Sequence, residues 1–194
     1  MSKAKDFTAE RVIDRLQIQD VLYRWSRAID RLDYDAIRTV FHPDAIDNHG
    51  AYNGGVDGLI AWIQERHKTI PFSMHSISNI LIEFSAPDTA IVESYSFVVQ
   101  RYPAGAGDSL GALTGAIEVK AGAAVDVMAY GRYVDRFERR NGEWRILRRT
   151  VVIDSMMLHE VSAKDPKLQA QWTGGRRDKD DCIFRERASL GLPC

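Results

Sequence analysis

The stretch MHSISNILIEF, residues 74–84, decides the fold, because apolar and polar side chains alternate along it. A β-strand points successive side chains to opposite faces of its sheet. The predicted face that bears His75 therefore also carries Ile77, Asn79 and Leu81. A titratable imidazole on a sheet surface beside aliphatic side chains is typical of two things. It is either a buried structural histidine with one hydrogen bond or a general base at the floor of a pocket.

Length and composition predict one globular domain. The chain has 194 residues, of which 45% are hydrophobic and 27% are charged. Its 26 Lys and Arg residues nearly balance its 27 Asp and Glu residues, so nothing in the charge favours nucleic acid or a membrane surface as a partner. The polar N-terminus is not followed by the apolar segment of a signal peptide, and no apolar run is long enough to span a bilayer. We therefore expect a cytoplasmic protein.

Three helices are predicted in the first seventy residues. Thr8 or Asp6 can cap the first helix, Asp33 the second and Asp57 the third. Proline and glycine between the second and third helices predict turns around a short strand. The expected bounds are residues 9–30, 34–41 and 58–69 for the helices and residues 45–48 for the strand.

Two stripes run along the first helix. The expected buried stripe consists of Val12, Leu16, Leu22, Trp25 and Ile29. Beside it runs a polar stripe at positions i, i+4, i+7 and i+11, which consists of Gln19, Tyr23, Ser26 and Asp30. A polar stripe next to the core is expected where a helix borders a cavity. The alternative is a boundary stripe whose polar tips reach solvent.

After Pro71 the pattern changes to a period of two. Asn141-Gly142 near the tip of two alternating runs predicts a hairpin, and short turns between consecutive strands predict antiparallel pairing. The segment 103–124 is rich in Gly and Ala and reads as a loop, although residues 112–119 are compatible with a short strand. Helices followed by a sheet indicate an α+β fold. The four long strands are expected at residues 73–84, 89–102, 125–139 and 143–153.

Three segments carry a resemblance to a known family. The helices LQIQDVLYRWSRAIDRLDYDAIRTVFHPDA, the strand MHSISNILIEF and the hairpin GRYVDRFERRNGEWRILRRTVV are similar to the SnoaL-like branch of the nuclear transport factor 2-like superfamily. The resemblance covers residues 12–153. It implies a cone-like, strongly curved antiparallel sheet wrapped around the N-terminal helices, as in a cystatin-like α+β barrel, with an apolar pocket inside. It also implies one domain at residues 1–159, a C-terminal extension at 160–194, and a homodimer or homotrimer.

The nearest resemblance is to lyases of the hexachlorocyclohexane dehydrochlorinase, bile acid dehydratase and scytalone dehydratase type. The dehydrochlorinase type has an Asp ten residues after the Asp of an IQD-like motif, which corresponds here to Asp30. Its His opens a strand of the form H-x-x-x-N, which corresponds to His75, and its Arg lies five residues after a Trp, which corresponds to Arg149. The resemblance implies that His75 abstracts a proton, that Asp30 orients it, and that Arg149 assists the leaving group. Trp25 replaces a lysine of that type, which disfavours dehalogenation and favours an aromatic, apolar substrate.

The residues therefore predict a lyase of the dehydratase type, or an isomerase, that needs no cofactor. Its substrate is expected to be a small apolar molecule, cyclic or aromatic, and no histidine spacing predicts a metal site. The alternatives are a non-catalytic small-ligand binding protein and an accessory subunit of an aromatic-ring oxygenase. Arg149 could also form a structural salt bridge to a helix carboxylate. Further candidates for contact with substrate are Tyr23, Trp25, Asn48, His49, Tyr95, Tyr130 and Tyr133.

Overall fold

A computed structural model describes residues 7–115, 123–162, 165 and 167–192. The predicted order, three helices followed by long strands, is confirmed. The elements are α1 (Ala9–Asp30), α2 (Tyr34–Val40), β1 (Phe41–Asn48), β2 (Asn53–Gly55), α3 (Val56–Arg66), β3 (Phe72–Ala86), β4 (Thr89–Tyr102), α4 (Gly107–Thr114), β5 (Ala124–Arg140), β6 (Glu143–Val161) and α5 (Cys182–Ser189). Within the described residues, no helix is both long enough and apolar enough to cross a membrane.

The six strands form one curved sheet in the order β2-β1-β6-β5-β4-β3, which stays open rather than closing into a barrel. The α+β prediction is confirmed, and strands β3 to β6 pair antiparallel as expected. Strand β1 differs, because it pairs parallel with β6 and aligns Asp47 with Arg149. Parallel neighbours need a long connection, and the whole of α3 to β5 supplies it here.

Helix α1 packs on the inner face of the sheet, but not through the whole predicted stripe. Leu22, Trp25 and Ile29 are buried as expected, whereas Val12 and Leu16 are exposed. The buried face begins instead at Asp14, whose carboxylate accepts hydrogen bonds from Trp144 Nε1 at 2.8 Å and from Arg139. Asp14, a polar residue with long-range partners, therefore sets which face of the first turns is buried. Hydrophobic periodicity alone predicts a different face.

A β-bulge interrupts the predicted alternation of strand β3. The register shifts between Ser78 and Leu81, and Asn79 has a φ of +47°, in the left-handed region that asparagine tolerates. His75 and Ile77 face inward as expected. Beyond the bulge Leu81 is exposed and Ile82 is buried, so the predicted face holds only up to the bulge.

Three local predictions are corrected. Helix α3 begins after Gly55, and the predicted cap Asp57 lies exposed in the first turn of the helix. The helix ends at Arg66. The segment expected as a loop contains helix α4, and the part of the predicted strand 112–119 from residue 116 onwards lies outside the described residues. Strand β6 continues to Val161, eight residues beyond the predicted end.

The described part of the C-terminal extension packs against the end of α1. Arg177 donates hydrogen bonds to the backbone oxygens of Ile29, Asp30 and Ile70, at 3.0 Å each. Burial lowers the pKa of Arg177 to about 10, so the side chain remains a cation at neutral pH. Carbonyls at a helix C-terminus lack partners within the helix and carry partial negative charge. The tail thus satisfies the end of the helix that supplies Asp30.

Candidate active site

A cavity of about 210 Å³ lies between helix α3 and the inner face of the sheet. This volume is below the usual ~300–1,000 Å³ of small-molecule sites and favours a small ligand. Gly131 is part of the wall. A larger residue does not fit there, because a Cβ would lie 2.3 Å from the backbone oxygen of Val152. The walls include His49, Trp62, Arg66, His75, Ser96, Val98, Gln100, Leu113, Val127, Ala129, Tyr133, Val151, Ile153 and Met156.

His75 lies in this cavity and forms a pair with Asp30. Its Nδ1 lies 2.6 Å from Asp30 Oδ1, and its backbone N–H donates to Oδ2 at 2.8 Å. Ser73 donates a third hydrogen bond to this carboxylate, at 3.1 Å. The pair forms because α1 ends at Asp30 where β3 begins its course along the sheet edge. Both side chains are more than nine-tenths buried, so the carboxylate fixes the ring with little competition from solvent.

A chain of hydrogen bonds continues from this pair along the cavity wall. Gln100 donates to Ser73 Oγ at 3.2 Å and accepts from Arg66 at 2.9 Å. Arg66 also reaches the Tyr102 hydroxyl and the ring of His67. Burial, followed by the charges of Arg66 and Arg177, holds the pKa of His67 far below its ordinary value. His67 is therefore neutral and structural, and Arg66 is the cation that faces the cavity.

His49 forms a second pair with a carboxylate beside the same cavity. Its Nδ1 lies 2.5 Å from Asp47 Oδ1, and Asp47 is fully buried. Asp47 lies on β1, and His49 is the first residue after the strand ends at Asn48. The His49 ring packs between Trp25 and Trp62, with ring centroids 6.2 and 5.7 Å away.

Arg149 does not reach the cavity, so the predicted contact with a leaving group is wrong. Its guanidinium is enclosed in the core and donates two hydrogen bonds to Asp135, at 2.8 and 2.6 Å. It also lies over the rings of Trp25 and Tyr133. Burial lowers the pKa of Arg149, but the Asp135 carboxylate outweighs this effect and the net shift is upward. The alternative, a structural salt bridge, is therefore formed, but its partner lies on strand β5 and not on a helix as expected.

Among the seven predicted contact residues, the cavity wall contains His49 and Tyr133. Burial raises the pKa of Tyr133, which keeps its hydroxyl protonated and able to donate. Trp25 lies behind the wall in the core, against Tyr133. Asn48 instead accepts a hydrogen bond from the Gly50 backbone.

The other three predicted contacts point away from the cavity. Tyr95 and Tyr130 lie on the outer face of the sheet, 48% and 41% exposed, because the inner positions of β4 and β5 are their neighbours in sequence. Tyr23 is 53% exposed and lines a separate surface groove with Arg27 and Asp33. Aromatic character alone therefore did not identify which face of each element is internal.

Sequence reasoning missed Trp62, Arg66, Gln100 and Asp47. Trp62 and Arg66 lie one helical turn apart on α3, a spacing that places them on one face and that could have indicated a lined surface. Asp47 and His49, two positions apart at the end of β1, carried a similar signal. Among the described residues, no group of three or more His, Cys, Asp or Glu side chains could hold a metal ion.

The comparison with protein families settles the identity of the fold. The model of the SnoaL-like domain matches residues 10–150. The chain belongs to this family. An uncharacterized protein of Mycobacterium tuberculosis is 32% identical over 143 residues, which cover 71% of this chain and 84% of that protein.

Two solved structures share the fold of this SnoaL-like domain. One is a proposed scytalone dehydratase from Novosphingobium aromaticivorans, with a TM-score of 0.63, 20% identity, and coverage of 85% of this chain and 100% of that chain. The other is a hexachlorocyclohexane dehydrochlorinase from Novosphingobium barchaimii, with a TM-score of 0.61, 15% identity, and coverage of 82% and 97%. At these identities the similarity establishes the fold of the SnoaL-like domain and not its reaction.

Proposed function

We propose that this SnoaL-like domain is a lyase of the dehydratase type, or an isomerase, in which His75 abstracts a proton from carbon. One observation carries the proposal. Asp30 holds His75 Nδ1 at 2.6 Å, while Nε2 has no hydrogen-bond partner among the described residues and the ring lines the cavity. A carboxylate on one ring nitrogen fixes the tautomer and stabilises the imidazolium that forms on proton capture. General base action of this kind contributes about 10²–10⁴-fold in rate.

The residues of the cavity wall indicate which substrates fit beside His75. Val98, Val127 and Val151 offer an apolar surface, and Trp62 adds an aromatic face. The polar groups on the wall are the Arg66 cation, the Tyr133 and Ser96 hydroxyls, the Gln100 amide and the two imidazoles. Guanidinium and phenol donors bind a carbonyl oxygen, and charge that develops there after proton loss is stabilised by them. The favoured substrate is a small ring that carries a carbonyl group next to the acidic carbon.

The structural relatives support elimination in particular. A protein described as a dehydratase and another described as a dehydrochlorinase share this fold. Both names denote loss of a small leaving group from adjacent carbons. Arg66 provides a cavity cation although Trp25 stands where the dehydrochlorinase type has a lysine. Because Arg66 is already hydrogen-bonded to Gln100, we favour an oxygen leaving group over a halide.

Two probe reactions test the base. Nitrobenzisoxazole opens after removal of one ring proton, and a bicyclic β-hydroxy ketone gives a fluorescent naphthol after loss of water. We expect the wild-type chain to accelerate both reactions and His75→Gln to lose about 10²–10⁴-fold. His159→Gln is the matched control, because His159 is exposed and pairs only loosely with Asp165, at 3.5 Å.

The same assay separates the alternative functions. If the wild-type chain binds the ketone, seen as protection against thermal unfolding, but converts neither probe, the chain is a binding protein or an accessory subunit. If His75→Gln remains folded and fully active, the base lies elsewhere and the proposal fails.

A further inference from the structure

The proposed function assigns a role to His75 but none to the pair formed by His49 and Asp47. Histidine residues near a core often serve only to make one hydrogen bond. This ring differs in two respects, because it lines the same cavity as His75 and because its partner carboxylate is fully buried. Asp47 Oδ2 has no hydrogen-bond partner among the described residues. His49 is therefore the only hydrogen-bond donor that the described side chains offer to this carboxylate.

The two carboxylates behind His49 lie near a single guanidinium. Asp47 and Asp135 are both fully buried near Arg149, and that guanidinium is already committed to Asp135 through two hydrogen bonds. A buried carboxylate is costly unless it is paired. Among the described side chains, His49 supplies that partner, with its Nδ1 2.5 Å from Asp47 Oδ1.

The groups around His75 are different. The Asp30 carboxylate accepts three hydrogen bonds, and the Arg177 guanidinium lies against the backbone oxygen of the same residue. Arg66 adds a second cation on the cavity wall. Guanidinium groups therefore lie around His75, whereas buried carboxylates lie behind His49. Two imidazoles that line one cavity in such different surroundings suit two different roles in proton transfer.

We propose that His49, held by Asp47, donates the proton to the departing oxygen in the elimination that His75 begins, an inference that rests on the proposed function. His75 Nε2 takes the proton from carbon, and the electrons of that C–H bond form the new double bond. The carbon–oxygen bond breaks, and the oxygen leaves as water with a proton from His49. Both imidazoles then return to their starting states by proton exchange with solvent.

A pair of substrates with one scaffold tests this role. The β-hydroxy ketone must lose hydroxide and needs a proton donor, whereas its β-acetoxy derivative loses acetate, a stable anion that needs none. We expect His49→Gln to reduce conversion of the hydroxy compound by about 10²-fold or more and to change conversion of the acetoxy compound by less than about 5-fold. We expect His75→Gln to reduce both. Retained acetoxy elimination also shows that the His49→Gln chain is folded.

Three results would overturn the assignment of His49. Full dehydration by His49→Gln shows that no proton from His49 is needed. An equal loss for both substrates shows that His49 only maintains the site. If His49→Gln does not fold, Asp47→Asn, which retains the shape of the side chain, must show the selective loss of dehydration, and its absence rejects the role. In each of these cases, if His75→Gln is inactive, the assignment of His75 as the base still stands. If the wild-type chain converts neither substrate, the proposed function itself is rejected.

Discussion

Two carboxylate–histidine pairs face one cavity, and the chain assembles them in different ways. Asp30 and His75 lie 45 positions apart and meet because helix α1 ends beside strand β3. Asp47 lies on β1 and His49 directly follows the strand, two positions away, so closeness in sequence brings them together. The first pair depends on the tertiary fold, whereas the second depends on it only for its position beside the cavity.

The surroundings of the two carboxylates differ as well. Asp30 has three hydrogen-bond donors and lies next to the Arg177 cation of the tail. Among the described residues, Asp47 has one hydrogen-bond donor, and its Oδ2 is buried without a partner. The comparison teaches that similar geometry at the imidazole does not imply the same chemistry. The charge and the hydrogen bonds behind the carboxylate distinguish them.

Breaking the first pair should have the largest effect. Asp30→Asn preserves the shape of the side chain but removes the charge that fixes the tautomer and stabilises the imidazolium. We expect conversion of the nitrobenzisoxazole probe to fall by about 10²–10⁴-fold, measured at saturating probe. Asp35→Asn is the control, because Asp35 is almost fully exposed on α2. Unchanged turnover in a folded Asp30→Asn chain contradicts an orienting role.

Removing the cation behind the second pair should mainly affect stability. Arg149→Met leaves Asp135 buried without its partner, and loss of one member of a buried ion pair costs about 3–5 kcal/mol. Urea unfolding followed by tryptophan fluorescence measures this loss, with exposed Arg148→Met as the control. Arg149→Met with Asp135→Leu should recover much of the loss. A loss below about 1 kcal/mol for Arg149→Met alone would show that the charges are not desolvated.

Releasing the tail should weaken the support of the first pair by a smaller amount. Arg177→Met removes three hydrogen bonds to backbone oxygens at the end of α1 and before β3. We expect about 1.5–3 kcal/mol less stability and faster proteolytic cleavage of the tail, followed by mass spectrometry. Arg185→Met, on the exposed side of α5, is the matched control. Equal cleavage of both variants would mean that Arg177 does not hold the tail.

The bulge after His75 should have the smallest effect. Asn79→Gly removes the steric penalty of a positive φ but adds freedom to the unfolded chain. These terms oppose each other, so we expect a change in unfolding free energy below about 1 kcal/mol and unchanged probe turnover. Asn79→Val is the contrasting variant, because a β-branched side chain is strained at this φ and should destabilise the chain clearly. Equal stability of the two variants would contradict the left-handed backbone at this position.

Much of the fold could be predicted from the sequence, because local patterns agree with the tertiary structure. The bounds of α1 and β4 follow from a cap, a helical stripe and a period of two. The failures occur where a long-range contact overrides the local pattern. Asp14 is buried because Trp144 and Arg139 bind it, and no local rule predicts an aspartate at the start of a buried stripe.

The amino-acid sequence was enough to predict the α+β class, the SnoaL-like resemblance, and His75 and Asp30 as partners. It did not show which side of each strand faces the cavity, because register shifts at Asn79 in β3 and between Ile146 and Arg148 in β6 interrupt the alternation. The enclosure of Arg149 with Asp135 and the position of Arg66 on the cavity wall became visible only in the folded chain. A charged side chain acts according to its burial and its partners. Both are set by residues far away in the chain.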